Sequence, residues 1–199
     1  MLDTINKALR RVPTWVVYLL GLALAAWVIF QGLNATDPVR GIEWGLGLWS
    51  LRLLIATLLV SPLRWGGLNL LRFRRQLGLV AFAFVCLHLT AWLTIDMGLR
   101  WSQILHDLYK RWYILIGMSA LVLLTPLAVT SNNTSIRKLG AKTWNRLHKL
   151  AYPATVLAVI HFLMVGKVYT TEMLIYAGIV AVLLVARVWR NGPVSLVWA

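Results

Sequence analysis

The sequence is poor in charge, and it is especially poor in acidic residues. Of its 199 residues only 13% are charged, about half the share found in an ordinary soluble domain. Six residues are acidic and twenty are basic, while 60% of the chain is hydrophobic. Several apolar runs reach about 20 residues, the length at which a helix crosses a bilayer. We therefore expect one membrane domain over residues 1–199 and no soluble domain.

Cysteine is nearly absent as well, since Cys86 is the only one. This excludes disulfides within the chain, iron–sulfur clusters and a covalent C-x-x-C-H haem attachment. The sequence also has no Walker motif, no G-x-G-x-x-G after a strand and no H-E-x-x-H. Nucleotide and zinc-hydrolase chemistry are therefore unsupported. For Cys86 itself we expect a packing role.

Six apolar runs predict six transmembrane helices, because backbone polar groups in lipid must be satisfied within the spanning segment. The predicted spans are residues 14–33, 44–63, 78–97, 112–130, 147–166 and 173–189. The basic stretch before the first span is like the head of a signal peptide, but no small-residue cleavage site follows it. The expected fold is therefore an all-α membrane protein, a bundle of six transmembrane helices.

The Lys and Arg residues give the orientation of these spans and argue against nucleic-acid binding. The net charge of +14 is spread over alternate connections and forms no single patch. With the N-terminus inside, fourteen of the twenty basic residues fall in inner segments and five, including Lys167, in outer ones. The remaining one, Arg52, lies within the second span. By the positive-inside rule, both termini are cytoplasmic.

Two histidines, His88 and His161, lie near the middle of the third and fifth predicted spans. A polar ring at membrane depth is costly to keep and indicates a functional site. At 1.5 Å per residue, His88 lies roughly 15 Å and His161 roughly 18 Å from the inner ends of two helices that both run outward. Two imidazoles at one level are what a b-type haem with two axial histidines needs. The alternative is that each ring bonds a nearby backbone group or hydroxyl, for example that of Thr90 or Tyr152.

His148 lies at the predicted inner end of the fifth span, about 20 Å along the axis from His161. It would suit a second haem, although the two rings point about 140° apart unless Pro153 kinks the helix. No histidine stands at the inner end of the third span, where Arg74 lies fourteen residues before His88. Its guanidinium is no iron ligand but can pair haem propionates or a flavin phosphate. An interfacial histidine in a basic loop is the alternative for His148.

Three further features carry charge or polarity. Arg52, in the outer half of its span, needs either a partner such as a haem propionate or a path for snorkelling to water. His106 lies in the outer loop and is expected to be solvated. The inner connections containing residues 71–75 and 137–140 form a basic rim. Topology alone explains this rim, and a docking surface for an anionic flavin or an acidic reductase is the alternative.

An ordered set of motifs resembles a known family. The motifs are residues 36–39, Arg52 with residues 56–63, and residues 74–79, 88–90, 137–140 and 144–152. From about Asp37 to Arg187 they resemble the MsrQ family (formerly YedZ), the haem-binding membrane subunits of bacterial methionine sulfoxide reductase systems. That family lies within the wider ferric-reductase-like group, which includes NADPH oxidases and STEAP reductases.

The resemblance implies a set of haem ligands. In the wider group two haems stack across the membrane, and spans three and five each usually supply two histidines thirteen or fourteen residues apart. His148 and His161 match the pair on span five, and His88 matches the outer histidine on span three. Arg74 stands in place of the inner one, as in other MsrQ proteins. This implies one haem b at His88 and His161 and leaves a second haem possible at His148.

The resemblance also implies partners and a location in the bacterial inner membrane. Electrons would come from the quinone pool or a cytosolic flavin reductase, pass bound FMN and haem b, and reach MsrP. MsrP is a periplasmic molybdopterin enzyme, so the reduction of methionine sulfoxide in oxidised proteins is expected in this partner. Two rivals are a stand-alone transmembrane ferric or oxygen reductase and a transporter. The first would need a separate donor, and against the second we find no matched pair of broken helices.

Overall fold

The computed structural model describes residues 1–166 and 168–191, and all regular structure in this part of the chain is helical. The helices found there are α1 Leu2–Arg11, α2 Val16–Leu33, α3 Pro38–Trp65, α4 Arg74–Ala91, α5 Trp101–Lys110, α6 Trp112–Val129, α7 Asn133–His148, α8 Ala151–Val165 and α9 Thr171–Asn191. A 3₁₀ turn, Leu71–Phe73, leads into α4, and a π-helical turn, Trp92–Asp96, extends it. The all-α prediction is confirmed for these residues.

The prediction of six spans is confirmed as well. Six helical stretches of the described chain are long and apolar enough to cross a membrane: Val16–Leu33, Pro38–Trp65, Leu71–Asp96, Trp112–Val129, Asn133–Val165 and Thr171–Arg190. The cytoplasmic position of both termini stays a prediction. Lys167, which we counted among the outer basic residues, lies outside the described residues.

Three helices lie where the sequence predicted only connections. The first is α1, the second is α5, and the third is α7, which begins with the Asn132 side chain accepting a hydrogen bond from Ser135 N at 2.8 Å. Within α7 the helical geometry breaks at Gly140, where a φ of 75° requires glycine. Each of these helices is amphipathic, with one polar face and one apolar face. A search for long apolar runs therefore does not detect them.

The chain divides into two compact units: unit 1 is Met1–Trp101, and unit 2 comprises the described residues from Ser102 onward. In unit 1, α3 packs against both α2 and α4. Glycines of α2 allow it to approach α3 and α4 closely, since a Cβ on Gly32 would lie 2.7 Å from Ile42 N and one on Gly21 would lie 2.6 Å from Val80 Cγ1. In lipid, burial of apolar surface contributes little driving force to helix association. Close packing over small residues therefore holds the helices together.

The N-terminal helix α1 is fixed to the loop that follows α3. Asn6 donates from Nδ2 to Gly67 O at 2.8 Å and accepts from Asn69 N at 3.0 Å. Arg72 donates to Leu9 O at 3.2 Å, near the C-terminal end of α1. These bonds give the basic N-terminal stretch a defined position in unit 1.

In unit 2, α6 packs along α8, and α9 packs on the same helix. Ala154 and Thr155 of α8 are almost fully buried, at 0% and 1% exposure. His148 ends α7, and a turn separates it from α8, so it does not share a continuous helix with His161. Pro153 is the third residue of α8, in the first turn, where proline is tolerated. A turn at Lys149 and Leu150, rather than a kink at Pro153, therefore separates the two histidines.

Candidate functional site

His88 lies on α4 in unit 1, and its ring is fixed to α3. Its Nδ1 is 2.9 Å from Glu43 O, a backbone carbonyl of α3. The ring lies against Gly47, where a Cβ would come within 3.0 Å of both Nδ1 and Cε1. Thr90, one of the partners considered from the sequence, instead donates to Cys86 O at 2.8 Å.

His161 lies on α8 in unit 2 and is held in the same way. Its Nδ1 is 2.7 Å from Tyr113 O, a backbone carbonyl of α6. The ring lies against Gly117, where a Cβ would come within 2.8 Å of Nδ1. The carbonyl of Tyr113 is therefore a hydrogen-bond partner of this ring.

These two hydrogen bonds set the chemistry of the rings. A carbonyl oxygen only accepts, so Nδ1 must carry the proton in both His88 and His161. In the neutral ring the lone pair then lies on Nε2, a nitrogen that ligates metals. A ligating histidine almost always donates its other N–H to a carbonyl or carboxylate, which fixes the ring. A backbone bond was the alternative to ligation for these residues, and here it is compatible with ligation.

His148, at the end of α7, is held differently. Its ring stacks on Trp144 of the same helix, with centroids 3.7 Å apart. Its Nδ1 is 3.0 Å from Trp144 O, and its Nε2 is 3.4 Å from Ser131 Oγ. Both ring nitrogens of His148 thus have polar neighbours within unit 2.

The predicted cationic residues are half-buried. The guanidinium of Arg52 lies 4.8 Å from the centroid of the Trp49 ring, a cation–π contact. Arg74 is the first residue of α4, in unit 1, whereas His148 belongs to unit 2. Pairing of Arg52 or Arg74 with a cofactor stays a prediction. His106 is exposed, as predicted, with 63% of its side chain accessible.

The junction between α5 and α6 contains a polar network that sequence reasoning missed. Asp107 on α5 is 4% exposed, and its Oδ2 is 3.3 Å from Arg111 Nη2. Arg111 donates from Nη1 to the Tyr113 hydroxyl at 2.9 Å. Tyr113 therefore contacts Arg111 through its side chain and His161 through its backbone. The spacing of four between Asp107 and Arg111 is the sequence signal that could have indicated the pair.

The described residues do not form a binding site for a bare metal ion. Among them, no three His, Cys, Asp or Glu side chains form a group that could hold one. A haem needs less from the protein, because its porphyrin supplies four nitrogens and the chain supplies only the axial ligands. Each unit fixes one imidazole in a form that could serve as such a ligand.

Comparisons with known proteins point to the same chemistry. The model of the family described as "Ferric reductase like transmembrane component" matches residues 43–159, from Glu43 to two residues before His161. The protein-methionine-sulfoxide reductase heme-binding subunit MsrQ of Brucella anthropi is 48% identical over 180 residues, which cover 88% of this chain and 81% of that protein. The MsrQ proteins of Brucella ovis and Brucella canis are similar to the same extent.

Proposed function

Because the chain belongs to the ferric-reductase-like transmembrane family and, within it, to the MsrQ haem-binding subunits, we propose that it carries electrons through haem b across the bacterial inner membrane. The donor is quinol or a cytosolic flavin reductase, and the acceptor is the periplasmic molybdoenzyme MsrP. Reduction of methionine sulfoxide takes place in that partner, so the chain itself serves as the electron-transfer subunit.

One observation carries the proposal: each unit fixes one membrane-embedded imidazole to a carbonyl of a neighbouring helix. His88 and His161 are accordingly the proposed axial ligands of the haem. When bound, haem iron supplies a one-electron carrier. The chain's own part is to hold both rings in the tautomer that presents the lone pair on Nε2 and to keep them in an apolar setting. Held by these two histidines, the haem would serve electron transfer rather than binding of oxygen.

Three residues support further cofactor contacts. Arg52 lies in the outer half of the predicted second span and near the middle of α3, and we propose that it pairs a haem propionate. At the inner end, we propose that Arg74 pairs an anionic group, a flavin phosphate or a propionate, of a second cofactor. His148 is the proposed inner contact in unit 2, with FMN or a second haem b as the cofactor.

The ligand assignment can be tested on the purified full-length protein. A pyridine haemochrome count and a flavin analysis of one sample should give b-type haem and FMN. His88→Ala and His161→Ala should each remove the absorption bands of six-coordinate iron. His106→Ala, which changes an exposed histidine, is the matched control and should keep them. Unchanged spectra in both ligand variants would reject the assignment.

The direction of electron flow needs a second experiment. In proteoliposomes, haem reduced by quinol or by a flavin reductase should be reoxidised when MsrP and methionine sulfoxide are added outside. Equally fast reoxidation by ferric iron or oxygen without MsrP would instead favour the stand-alone reductase. Reduction by only one of the two donors would identify the physiological one.

A further inference from the structure

A local arrangement of four residues in unit 1 repeats in unit 2. In unit 1, α3 contributes the carbonyl of Glu43 and, four residues later, Gly47. The neighbouring helix α4 contributes His88 and, two turns earlier, Ala81, which is 0% exposed. The histidine ring lies over the turn of α3 that runs from Glu43 to Gly47.

Unit 2 contains the same pattern on different helices. Here α6 contributes the carbonyl of Tyr113 and, four residues later, Gly117. The paired helix α8 contributes His161 and, again seven residues earlier, Ala154, which is also 0% exposed. The residues that supply the carbonyl differ, glutamate in one unit and tyrosine in the other. What the two units share is the glycine, the alanine and the histidine.

The geometry of an α-helix explains why the fourth residue after the carbonyl is a glycine. Each Cα–Cβ bond tilts towards the helix N-terminus, so a side chain covers the turn before its own Cα. The side chain of residue i+4 therefore lies over the carbonyl of residue i. With glycine at i+4 that carbonyl is uncovered, and a donor from another helix can reach it. Gly47 thus uncovers Glu43 O, and Gly117 uncovers Tyr113 O.

We infer that Gly47 and Gly117 are positioning residues that set the orientation of the two haem-ligating imidazoles, one in each unit. This inference rests on the proposed function, because it assumes that His88 and His161 bind the iron. A methyl group at either glycine would meet the ring and push Nδ1 away from its carbonyl. The Nδ1–H···O=C bond raises the basicity of the ligand, and loss of such outer contacts lowers metal affinity about 10–100-fold in metalloproteins.

The clearances predict an order of effects. A Cβ on Gly117 would lie 2.8 Å from Nδ1 of His161, whereas one on Gly47 would lie 3.0 Å from Nδ1 of His88. Gly117→Ala should therefore weaken haem binding by about tenfold, and Gly47→Ala by less. Haem that remains bound should have a higher midpoint potential and altered g values, since a less basic imidazole stabilises ferric iron less.

The chain offers three matched controls. Gly78→Ala on α4 and Gly178→Ala on α9 add the same methyl group where nothing lies within 4 Å. Gly45→Ala on α3 adds it 2.9 Å from Val28 Cγ1, so it crowds a helix contact without touching a histidine. We expect all three to keep the haem affinity, the g values and the midpoint potential of the unmodified chain.

The outcomes separate the inference from the function on which it rests. If the unmodified chain binds no haem, the proposed function fails, and the inference falls with it. If that chain binds haem and both glycine variants match Gly78→Ala, the inference alone is overturned. An equal effect of Gly45→Ala, or a lower yield with unchanged g values and potential, would also overturn it, because packing would then be the cause. Should Gly117→Ala not fold, the milder Gly47→Ala decides the question.

Discussion

Two histidines of unit 2 are thirteen residues apart, yet their rings are held by different parts of the chain. The Nδ1 of His161 reaches a carbonyl of another helix, Tyr113 O on α6, at 2.7 Å. The Nδ1 of His148 bonds a carbonyl of its own helix, Trp144 O, at 3.0 Å, and its ring stacks on the Trp144 side chain. One ring is therefore fixed by packing between helices and the other by the local chain.

This difference indicates how readily each ring could bind iron. The position of His161 depends on the pairing of α6 with α8, so its ring is oriented before any cofactor binds. The Nε2 of His148 lies 3.4 Å from Ser131 Oγ, whose hydroxyl donates to Leu127 O, so iron at this nitrogen would have to displace the serine side chain. We therefore expect His161 to be a strong ligand, and His148 to be a weaker one or a polar contact to a flavin.

The first prediction has the largest expected effect and tests this difference directly. His161→Gly should lower the bound haem by at least about tenfold, because the change removes a ligand and not only its outer contact. Imidazole added to the buffer should restore the absorption bands by filling the space left by the ring. His148→Gly should keep more than half of the haem. A pyridine haemochrome count on both variants, with and without imidazole, measures these amounts.

The two variants serve as controls for each other. If His148→Gly loses as much haem as His161→Gly, the contrast between the two rings has no functional meaning. If imidazole restores neither variant, the loss reflects misfolding, and circular dichroism of the two proteins should then show it.

The spans could be predicted from the sequence because the bilayer sets their length. A run of about 20 apolar residues matches the thickness of the hydrocarbon core, and all six predicted runs correspond to helices. The short helices α1, α5 and α7 could not be found in this way. Of these, α5 exposes Trp101, Leu105 and Tyr109 at a spacing of four, a pattern typical of a helix that lies along a membrane surface. Such a helix carries no long apolar run.

The candidate ligands could also be predicted from the sequence, but the carbonyls and glycines that position them could not. His88 and His161 are detectable because a polar ring interrupts an apolar run. Glu43 and Tyr113 act through backbone carbonyls, which every residue has, so no side chain marks them. The glycines give no better signal, since the chain contains fourteen of them. Only the packing of a neighbouring ring distinguishes Gly47 and Gly117 from the others.

The second prediction concerns the local support of His148. Trp144→Ala removes the stacked ring and the bond from Trp144 Nε1 to Thr130 O, which is 2.8 Å long. An aromatic contact of this kind is worth about 0.5–1.5 kcal/mol, so modification of His148 by diethyl pyrocarbonate should become about two- to tenfold faster. The rate at His161 should not change, because its bond to Tyr113 O joins α8 to α6 rather than to α7. Mass spectrometry of peptides gives both rates.

Trp144→Phe is the matched control, since it keeps an aromatic face and loses only the indole N–H. It should lie between the unmodified chain and Trp144→Ala. A faster reaction at His161 in either variant would show that the two rings are coupled, contrary to the comparison.

The third prediction has the smallest expected effect and asks what holds His161 in place. Asp107→Asn removes the ion pair with Arg111, in which the Arg111 side chain is 48% exposed and that of Asp107 is 6% exposed. With one partner largely solvated, the loss of stability should be about 1 kcal/mol and should shrink at high salt. The thermal midpoint in detergent measures it. Gln103→Ala, a change at an exposed residue of the same helix, should leave the midpoint where it is.

Haem binding should survive the loss of this ion pair, because the network reaches the Tyr113 hydroxyl while His161 is bonded to the Tyr113 carbonyl. The carbonyl is fixed by α6 itself, so freeing the side chain leaves the ring support intact. Loss of haem in Asp107→Asn, with the fold retained, would mean that the charged network positions His161. The orientation of His161 would then depend on the charges between α5 and α6 as well as on helix packing.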